Sequence, residues 1–537
     1  MKKLLLIFLI FFVSPLVFGR SIEDKPKLVV GIVIDQMRYD YLYRYAAKYS
    51  NNGFKKLMNN GFNCKNTQYH YAATQTGPGH SHIFNGSIPA LSGIIGNSWF
   101  ERTIGKSVYV ASDTTVTTIG EGSPEAGQMS PKSMLVSSIG DQLRLSNEFQ
   151  SKVIGVSLKD RGAIFPAGHS GTAYWFDVST GNWITSSYYM KELPQWVNDF
   201  NAQHLPDFYL KNKWETLLAL NQYTESESDN QPYENAVLVK GKTSFPYDLA
   251  NYSKLPSAPM GNNLTKDFAL RVIKEEHLGE RGSTDFLTIS FASTDYVGHA
   301  TGTHSVEIED TYLRLDKDIA EIVTSLEHSL GKDNVLVMLT ADHGVADIPA
   351  YSQKNKIPSG VFWGGEIVKL TNEIVKKLYN SSKWLLMFEN NQLYLNSDST
   401  SKYTGSLNRI YLALKDSLNK REGIYTVVNL TDLSNAKSLP YLYHEMFTNT
   451  YYPRRSGDFQ IVFEPNWVEG YVKGTNHGSI YAYDTHVPLL WYGWKIKKGE
   501  IYRRTSIADI APTLAQILDI LEPNGSIGNP IIELWNN

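Results

Sequence analysis

Short runs of β-branched apolar residues recur along the chain, and each ends abruptly in polar or acidic residues. Leu28–Ile34 runs into Asp35, Val153–Val156 runs towards Lys159 and Arg161, Phe286–Phe291 runs towards Asp295, and Val335–Leu339 runs into Asp342 and His343. A further run, Val487–Tyr492, lies near the C-terminal end. Apolar runs without alternation belong to strands covered on both faces, which favours a parallel sheet. Helical patterns lie between them. Ile308, Tyr312, Leu315, Ile319, Ile322 and Leu326 recur at steps of four and three, the mark of an amphipathic helix with one buried stripe. Ile510–Leu518 predicts a second helix, with Pro512 in an early turn where proline is tolerated. Strand alternating with helix predicts an α/β fold, a mostly parallel central sheet with helices on both faces. Two turn-rich, tyrosine-rich stretches, at about 170–260 and 352–472, break the rhythm and read as cap insertions in one domain spanning 21–537.

The composition narrows the class. The 537 residues are 42% hydrophobic and include 11 Trp, 33 Tyr and 22 Phe, which excludes a disordered chain. A net charge of −3 argues against a general nucleic-acid binder, which needs a basic face. The first twenty residues combine Lys2-Lys3, an apolar run from Leu4 to Val13, and Ser14, Pro15 and Gly19. They read as a cleaved secretory signal, too short to span a bilayer. No later segment has the 18 consecutive apolar residues of a membrane span, so a periplasmic or secreted protein without a stable membrane anchor is expected. The single cysteine, Cys64, excludes an internal disulfide and a cysteine-based metal site.

Candidate chemistry follows from where the polar residues fall. Asp35, Asp295, Asp342 and His343 sit at or just beyond the carboxyl ends of predicted strands, the edge at which open α/β sheets bind ligands. One such Asp is usually a cap or turn residue; four on separate strands converge on one crevice. Asp295 and His299 are four residues apart and share a side if the segment turns helically. Gly474-Thr475-Asn476-His477-Gly478 supplies another histidine. Mixed Asp and His ligands without a thiol point to zinc, and the set is too large for one tetrahedral ion, so two zinc ions are expected. In Thr74-Gln75-Thr76-Gly77-Pro78-Gly79-His80 the backbone must turn sharply and expose Thr76, at the start of a helix whose dipole favours an anion. The bland reading of Thr76 is an N-cap; the chemical one is a nucleophile activated by an adjacent ion.

In this order the motifs resemble the alkaline phosphatase superfamily, most closely its type I phosphodiesterase/nucleotide pyrophosphatase branch: Asp35, Thr76-Gly77-Pro78-Gly79-His80, Asp295-x-x-x-His299, Asp342-His343-Gly344, His477-Gly478 and Ile507–Leu514. The resemblance runs from Asp35 to about residue 520. It implies two zinc ions, one surrounded by Asp35, Thr76, Asp342 and His343 and the other by Asp295, His299 and His477. Thr76 would then be the in-line nucleophile that forms a phosphothreonine. His486 competes with His477, which is flanked by Gly478 in the family manner and is preferred.

Substrate class turns on what meets the remaining phosphoryl oxygens. A monoester gains from extra cationic and hydrogen-bonding groups, whereas a diester suits an apolar pocket. Asn97, Lys159 and Arg161 look like the trio that holds the phosphoryl group in secreted bacterial alkaline phosphatases of the PafA type. The expectation is a broad-specificity phosphate monoester hydrolase acting on small molecules, and a monomer. His80, His82 and His169 are left as structural or supporting residues. The runner-up is a phosphodiesterase or nucleotide pyrophosphatase on the same core. A sulfatase is disfavoured by the absence of a Cys/Ser-x-Pro-x-Arg motif. A glycan- or peptide-binding protein with purely structural metals is the rival from another class.

Overall fold

The computed structural model describes residues 25–381, 384–435, 439–470 and 472–535. The segment read as a secretory signal, residues 1–20, lies outside the described residues. The centre is a ten-stranded sheet. Its strands are β1 (Leu28–Ile34), β2 (Phe62–Cys64), β3 (Thr118–Ile119), β4 (Val153–Ser157), β5 (Thr172–Asp177), β6 (Asn182–Ser186), β7 (Asp285–Phe291), β8 (Val335–Thr340), β9 (Leu489–Gly493) and β10 (Gly499–Ile501). The spatial order is β10-β2-β9-β8-β1-β7-β4-β5-β6-β3. The five strands β8-β1-β7-β4-β5 are mutually parallel. Every residue of β1, β4, β7 and β8 is buried, so both faces are covered, as their unalternating apolar sequences require.

The helices that matter for the site follow the parallel strands. They are α1 (Thr76–Asn85), α2 (Asp160–Ala167), α3 (Pro259–Glu275), α4 (Ser293–Thr301), α5 (Val306–Leu330) and α6 (Ile510–Leu518). The stripe Ile308, Tyr312, Leu315, Ile319, Ile322 and Leu326 is buried along α5. Pro512 stands third in α6, where its missing N–H removes no intrahelical bond. α1 lies on β1 closely enough that a Cβ at Gly31 would stand 2.9 Å from the Phe84 ring.

Two features differ from the sequence expectation. Residues 172–186, read as the start of a cap, are β5 and β6 of the central sheet. Their turn signal, Thr180-Gly181 with Gly181 at φ +80°, marks the hairpin between them and not a departure from the sheet. The run at 487–492 becomes β9, which pairs antiparallel with β8. Its preceding loop lies at the carboxyl edge of β8, so the strand must enter from that edge. Residues 385–463 include a separate four-stranded antiparallel sheet of Leu385–Glu389, Gln392–Leu395, Phe459–Phe463 and Ile424–Asn429. It packs with helices Gly364–Tyr379 and Ser406–Leu418 around its own apolar cluster, including Ile367, Val375, Leu393, Ile410 and Leu414.

The register of the parallel strands sets the site. Ile34 lies opposite Phe291, Val33 opposite Thr340, and Ser290 opposite Ser157. The residues that follow these strands therefore emerge at one level of one edge.

Candidate active site

Asp35 leaves β1 with its backbone N–H on Phe291 O at 3.0 Å, and its side chain is fully buried. Asp342 and His343 leave β8, both fully buried. Asp295 and His299 lie one turn apart on α4, and His299 Nε2 is 3.1 Å from Asp295 Oδ1. The loop at 474–478 brings His477 Nε2 to 3.7 Å from the same oxygen. His343 Nε2 stands 3.6 Å from Asp35 Oδ1 and 3.4 Å from Asp342 Oδ2.

The three histidines share one arrangement. His299 Nδ1 is 2.8 Å from Thr475 O, His343 Nδ1 is 2.9 Å from Gly344 O, and His477 Nδ1 is 2.8 Å from Thr74 O. A carbonyl can only accept, so each Nδ1 carries a proton and each Nε2 is the atom that faces the carboxylates; against the effect of burial, Asp295 draws His299 above the ordinary histidine range. The rings of His343 and His477 stack with centroids 3.6 Å apart, a contact suited to neutral imidazoles. Burial, reinforced by the other histidines, pushes His477 well below the ordinary histidine range, and burial lowers His343 as well. Asp35 Oδ1, Asp342 Oδ2 and His343 Nε2 are buried without a hydrogen-bond partner among the described residues. Buried polar atoms of that kind are costly unless a ligand meets them. Donor atoms of Asp295, His299 and His477 all lie within 4.8 Å of one another, and so do those of Asp35, Asp295 and His343. Both groups could hold a metal ion. Asp295 belongs to both, so it lies between the two sets that the resemblance keeps apart.

Thr76 is the first residue of α1 and is buried. Its segment is gripped from two sides: His477 holds Thr74 O, while His80 Nδ1 meets Thr76 O at 2.9 Å and Asp342 Oδ2 at 3.2 Å. His80 Nε2 meets Ser290 Oγ at 2.7 Å, so both ring nitrogens are engaged in support. α1 reaches Asp342 because residue 79 is glycine: a Cβ there would stand 2.3 Å from Asp342 O. His486 points elsewhere, with Nε2 on Lys65 O at 3.0 Å and its ring stacked on Tyr39.

Asn97 accepts the Gly77 N–H, one residue after Thr76, through Oδ1 at 2.7 Å, which fixes its side-chain amide with Nδ2 as the donor end. Lys159 is buried, and its Nζ lies 2.7 Å from Asp35 Oδ2 and 2.6 Å from Asp295 Oδ2. Against the cost of burial, those two carboxylates hold Lys159 firmly cationic. Burial pushes Asp35 well above the usual carboxylate range, with the charges of Asp295 and Asp342 adding to it. Asp295 is pulled well below that range, despite burial, by His299 and Lys159. Arg161 donates from one terminal nitrogen to Tyr109 OH at 3.0 Å, and its buried Nε has no partner among the described residues.

One residue of the site escapes sequence reasoning. Gln36 follows Asp35 with φ +66°, its backbone N–H donates to Asp342 Oδ1 at 3.0 Å, and its Nε2 donates to Asp295 Oδ1 at 2.6 Å. A glutamine after a strand-end aspartate carries no chemical signal by itself.

Three proteins frame this geometry. The chain is 44% identical to alkaline phosphatase PhoV of Synechococcus elongatus, over 97% of this chain and 95% of PhoV. It is 44% identical to a calcium-transporting ATPase of Myroides odoratus, over 95% of each chain. The crystal structure of alkaline phosphatase PafA, the protein of Elizabethkingia meningoseptica, superposes with a TM-score of 0.92 at 42% identity, covering 95% of this chain and 99% of PafA. A variant of PafA solved separately, with a TM-score of 0.91, carries a Thr→Ser change and Asn, Lys and Arg→Ala changes. Those positions are spaced by 21, 62 and 2 residues, as are Thr76, Asn97, Lys159 and Arg161. Residues 29–486 match the type I phosphodiesterase/nucleotide pyrophosphatase family, and the chain belongs to it.

Proposed function

We propose that the protein is an alkaline phosphatase, a hydrolase of small phosphate monoesters that uses Thr76 as its nucleophile. The observation that carries this reading is the likeness, over nearly the whole of both chains, to PhoV and PafA. Two zinc ions are the proposed cofactor. Imidazole and carboxylate donors suit zinc, and the unpartnered buried atoms of Asp35, Asp342 and His343 fit a bound cation. Asp35, Thr76, Asp342 and His343 would hold one ion and Asp295, His299 and His477 the other, with Asp295 close to both. When bound, the ions supply Lewis acidity at the phosphoryl oxygens and lower the pKa of a coordinated hydroxyl.

The chain's own residues do the rest. Thr76 is held at a helix start by His80 and by the His477 contact to Thr74, so its hydroxyl needs little reordering before attack. The α1 backbone N–H groups and the Asn97 side-chain amide N–H would offer donors to a phosphoryl oxygen. Lys159 and Arg161 add positive charge against the dianion of a monoester, which a diester lacks; one such preorganised contact supplies about 2–4 kcal/mol. Attack of Thr76 Oγ on phosphorus would break the ester P–O bond and release the alcohol, with the hydroxyl proton passing to the alcohol or to solvent; water would then cleave the resulting phosphothreonine to inorganic phosphate and the free Thr76 hydroxyl. One relative is named for an ATPase activity, which is also a phosphoryl-transfer reaction.

Export to the periplasm or beyond is proposed from the character of residues 1–20. Among the described residues no helix is long and apolar enough to cross a membrane. The deciding experiment compares an aryl phosphate monoester with the corresponding diester. Strong preference for the monoester supports the reading, and strong preference for the diester replaces it with a phosphodiesterase.

A further inference from the structure

The separate four-stranded sheet within residues 385–463 reaches the candidate centre through the turn between Leu385–Glu389 and Gln392–Leu395. Glu389 pairs with Gln392, so Asn390 and Asn391 form a two-residue hairpin turn, with φ of +53° and +59°. Tight turns of this kind need positive φ, which asparagine tolerates. Gln460, which pairs with Gln392, ties the turn to the next strand: its Nε2 lies 3.3 Å from Asn390 O and 3.2 Å from Asn391 O.

The Asn390 side chain joins two segments of the centre. Its Oδ1 accepts from Gln75 Nε2 at 3.1 Å, and its Nδ2 donates to Ser98 O at 2.7 Å. Gln75 Oε1 in turn accepts the Asn97 backbone N–H at 2.8 Å. Ser98 follows Asn97 in the chain, so the bonds close a ring from Asn390 through Gln75, Asn97 and Ser98 back to Asn390. A backbone N–H only donates and a backbone carbonyl only accepts, so both side-chain amides are fixed in one orientation. Glycine at 96 makes room for the ring, since a Cβ there would stand 2.6 Å from Asn390 Nδ2. Glu389 fastens the strand pair Ser98–Glu101 and Lys106–Tyr109, accepting from Ser98 Oγ and, at 2.7 Å, from Ser107 Oγ.

Gln75 and Gly77 flank Thr76, and each takes one end of Asn97: Gln75 its backbone N–H, Gly77 its side-chain Oδ1. The placement of the Asn97 amide relative to Thr76 therefore depends on both bonds, and Asn390 holds the Gln75 side of the pair. The same strand pair reaches Arg161, because Tyr109 pairs with Ser98 and its hydroxyl accepts from Arg161 at 3.0 Å. We propose, on the reading of Asn97 as a phosphoryl contact, that Asn390 is a positioning residue for Asn97. The inserted sheet, and not the central one alone, then sets the preference for a monoester over a diester. A contact displaced by about 1 Å can lose on the order of a hundredfold in rate.

The test uses the full-length, zinc-loaded protein. Asn390→Gly removes both amide bonds and keeps a residue at ease with positive φ, so the turn still forms. The expected result is a fall of about 10–100-fold in kcat/KM for an aryl phosphate monoester, a much smaller change for the matching diester, and unchanged zinc content. Asn390→Asp keeps the acceptor for Gln75 and loses the donor to Ser98, so its loss should be intermediate. In an Asn97→Ala background Asn390→Gly should cost nothing more, because residues that act through one contact are not additive. An unchanged monoester-to-diester ratio in Asn390→Gly, whatever its melting temperature, or a full additional loss in the Asn97→Ala background, overturns the proposal and leaves Asn390 a fastener of the inserted sheet. Undiminished monoester turnover in Asn97→Ala itself would instead remove the contact being positioned, and with it the reading of Asn97 on which the proposal stands.

Discussion

Gln36 bridges two carboxylates proposed as metal ligands, one just beyond β8 and one on α4: its backbone N–H donates to Asp342 at 3.0 Å and its side chain donates to Asp295 at 2.6 Å. Because Asp295 lies within reach of both histidine groups, this one residue links the two halves of the centre. Gly298 lies against it, where a Cβ would stand 2.0 Å from Gln36 Oε1.

Gln36→Ala removes the side-chain donor to Asp295 and leaves the rest of the frame in place. Residues that orient metal ligands are typically worth 10–100-fold in affinity or activity. The variant should therefore lose zinc at about 10–100-fold lower chelator concentration, read by metal analysis after dialysis, while its circular dichroism stays that of the parent. Zinc retention equal to the wild type would show that Gln36 is incidental.

Thr76→Ala should keep its zinc and its fold and lose turnover by at least about a thousandfold, as expected when a nucleophile is deleted. Thr76→Ser, which keeps a hydroxyl, should retain measurable activity. Steady-state kinetics beside zinc analysis of the same preparations separates the two effects. Undiminished turnover in Thr76→Ala would remove Thr76 from the reaction.

Arg161→Ala should lower kcat/KM for an aryl monoester by about 30–1000-fold, the equivalent of the 2–4 kcal/mol of one preorganised contact, and change the diester far less. Lys159→Ala should do the same and, in addition, leave Asp35 and Asp295 without their shared cation. Equal losses on both substrates would mean that these residues shape the centre and do not read the charge of the phosphoryl group.

Gly79→Ala places a methyl group 2.3 Å from Asp342 O, so α1 or the strand-end loop must move. Overpacking of a close backbone approach costs about 1–3 kcal/mol, which predicts a lower melting temperature together with reduced activity. A variant with unchanged kinetics would show that α1 need not approach Asp342 so closely.

Much of the architecture was legible because it is written locally. Strand cores announce themselves as apolar runs, and Asp35, Asp342 and His343 directly follow two of them. The four-residue spacing of Asp295 and His299 needed only a helical turn, which α4 supplies. The stripe along α5 needed only its period. What the residue order could not reveal depends on register and on loop paths. Lys159 is expected, with Asn97 and Arg161, to hold the phosphoryl group; that its Nζ also reaches across two neighbouring strands to lie between Asp35 and Asp295 follows only from register, because Ser157 pairs with Ser290 and Ile34 with Phe291. The direction of β9, the membership of residues 172–186 in the sheet, and the bridge made by Gln36 have the same origin. Periodicity along a chain encodes what each segment buries, whereas ligand sets are made between segments hundreds of residues apart, where only packing decides which side chains meet.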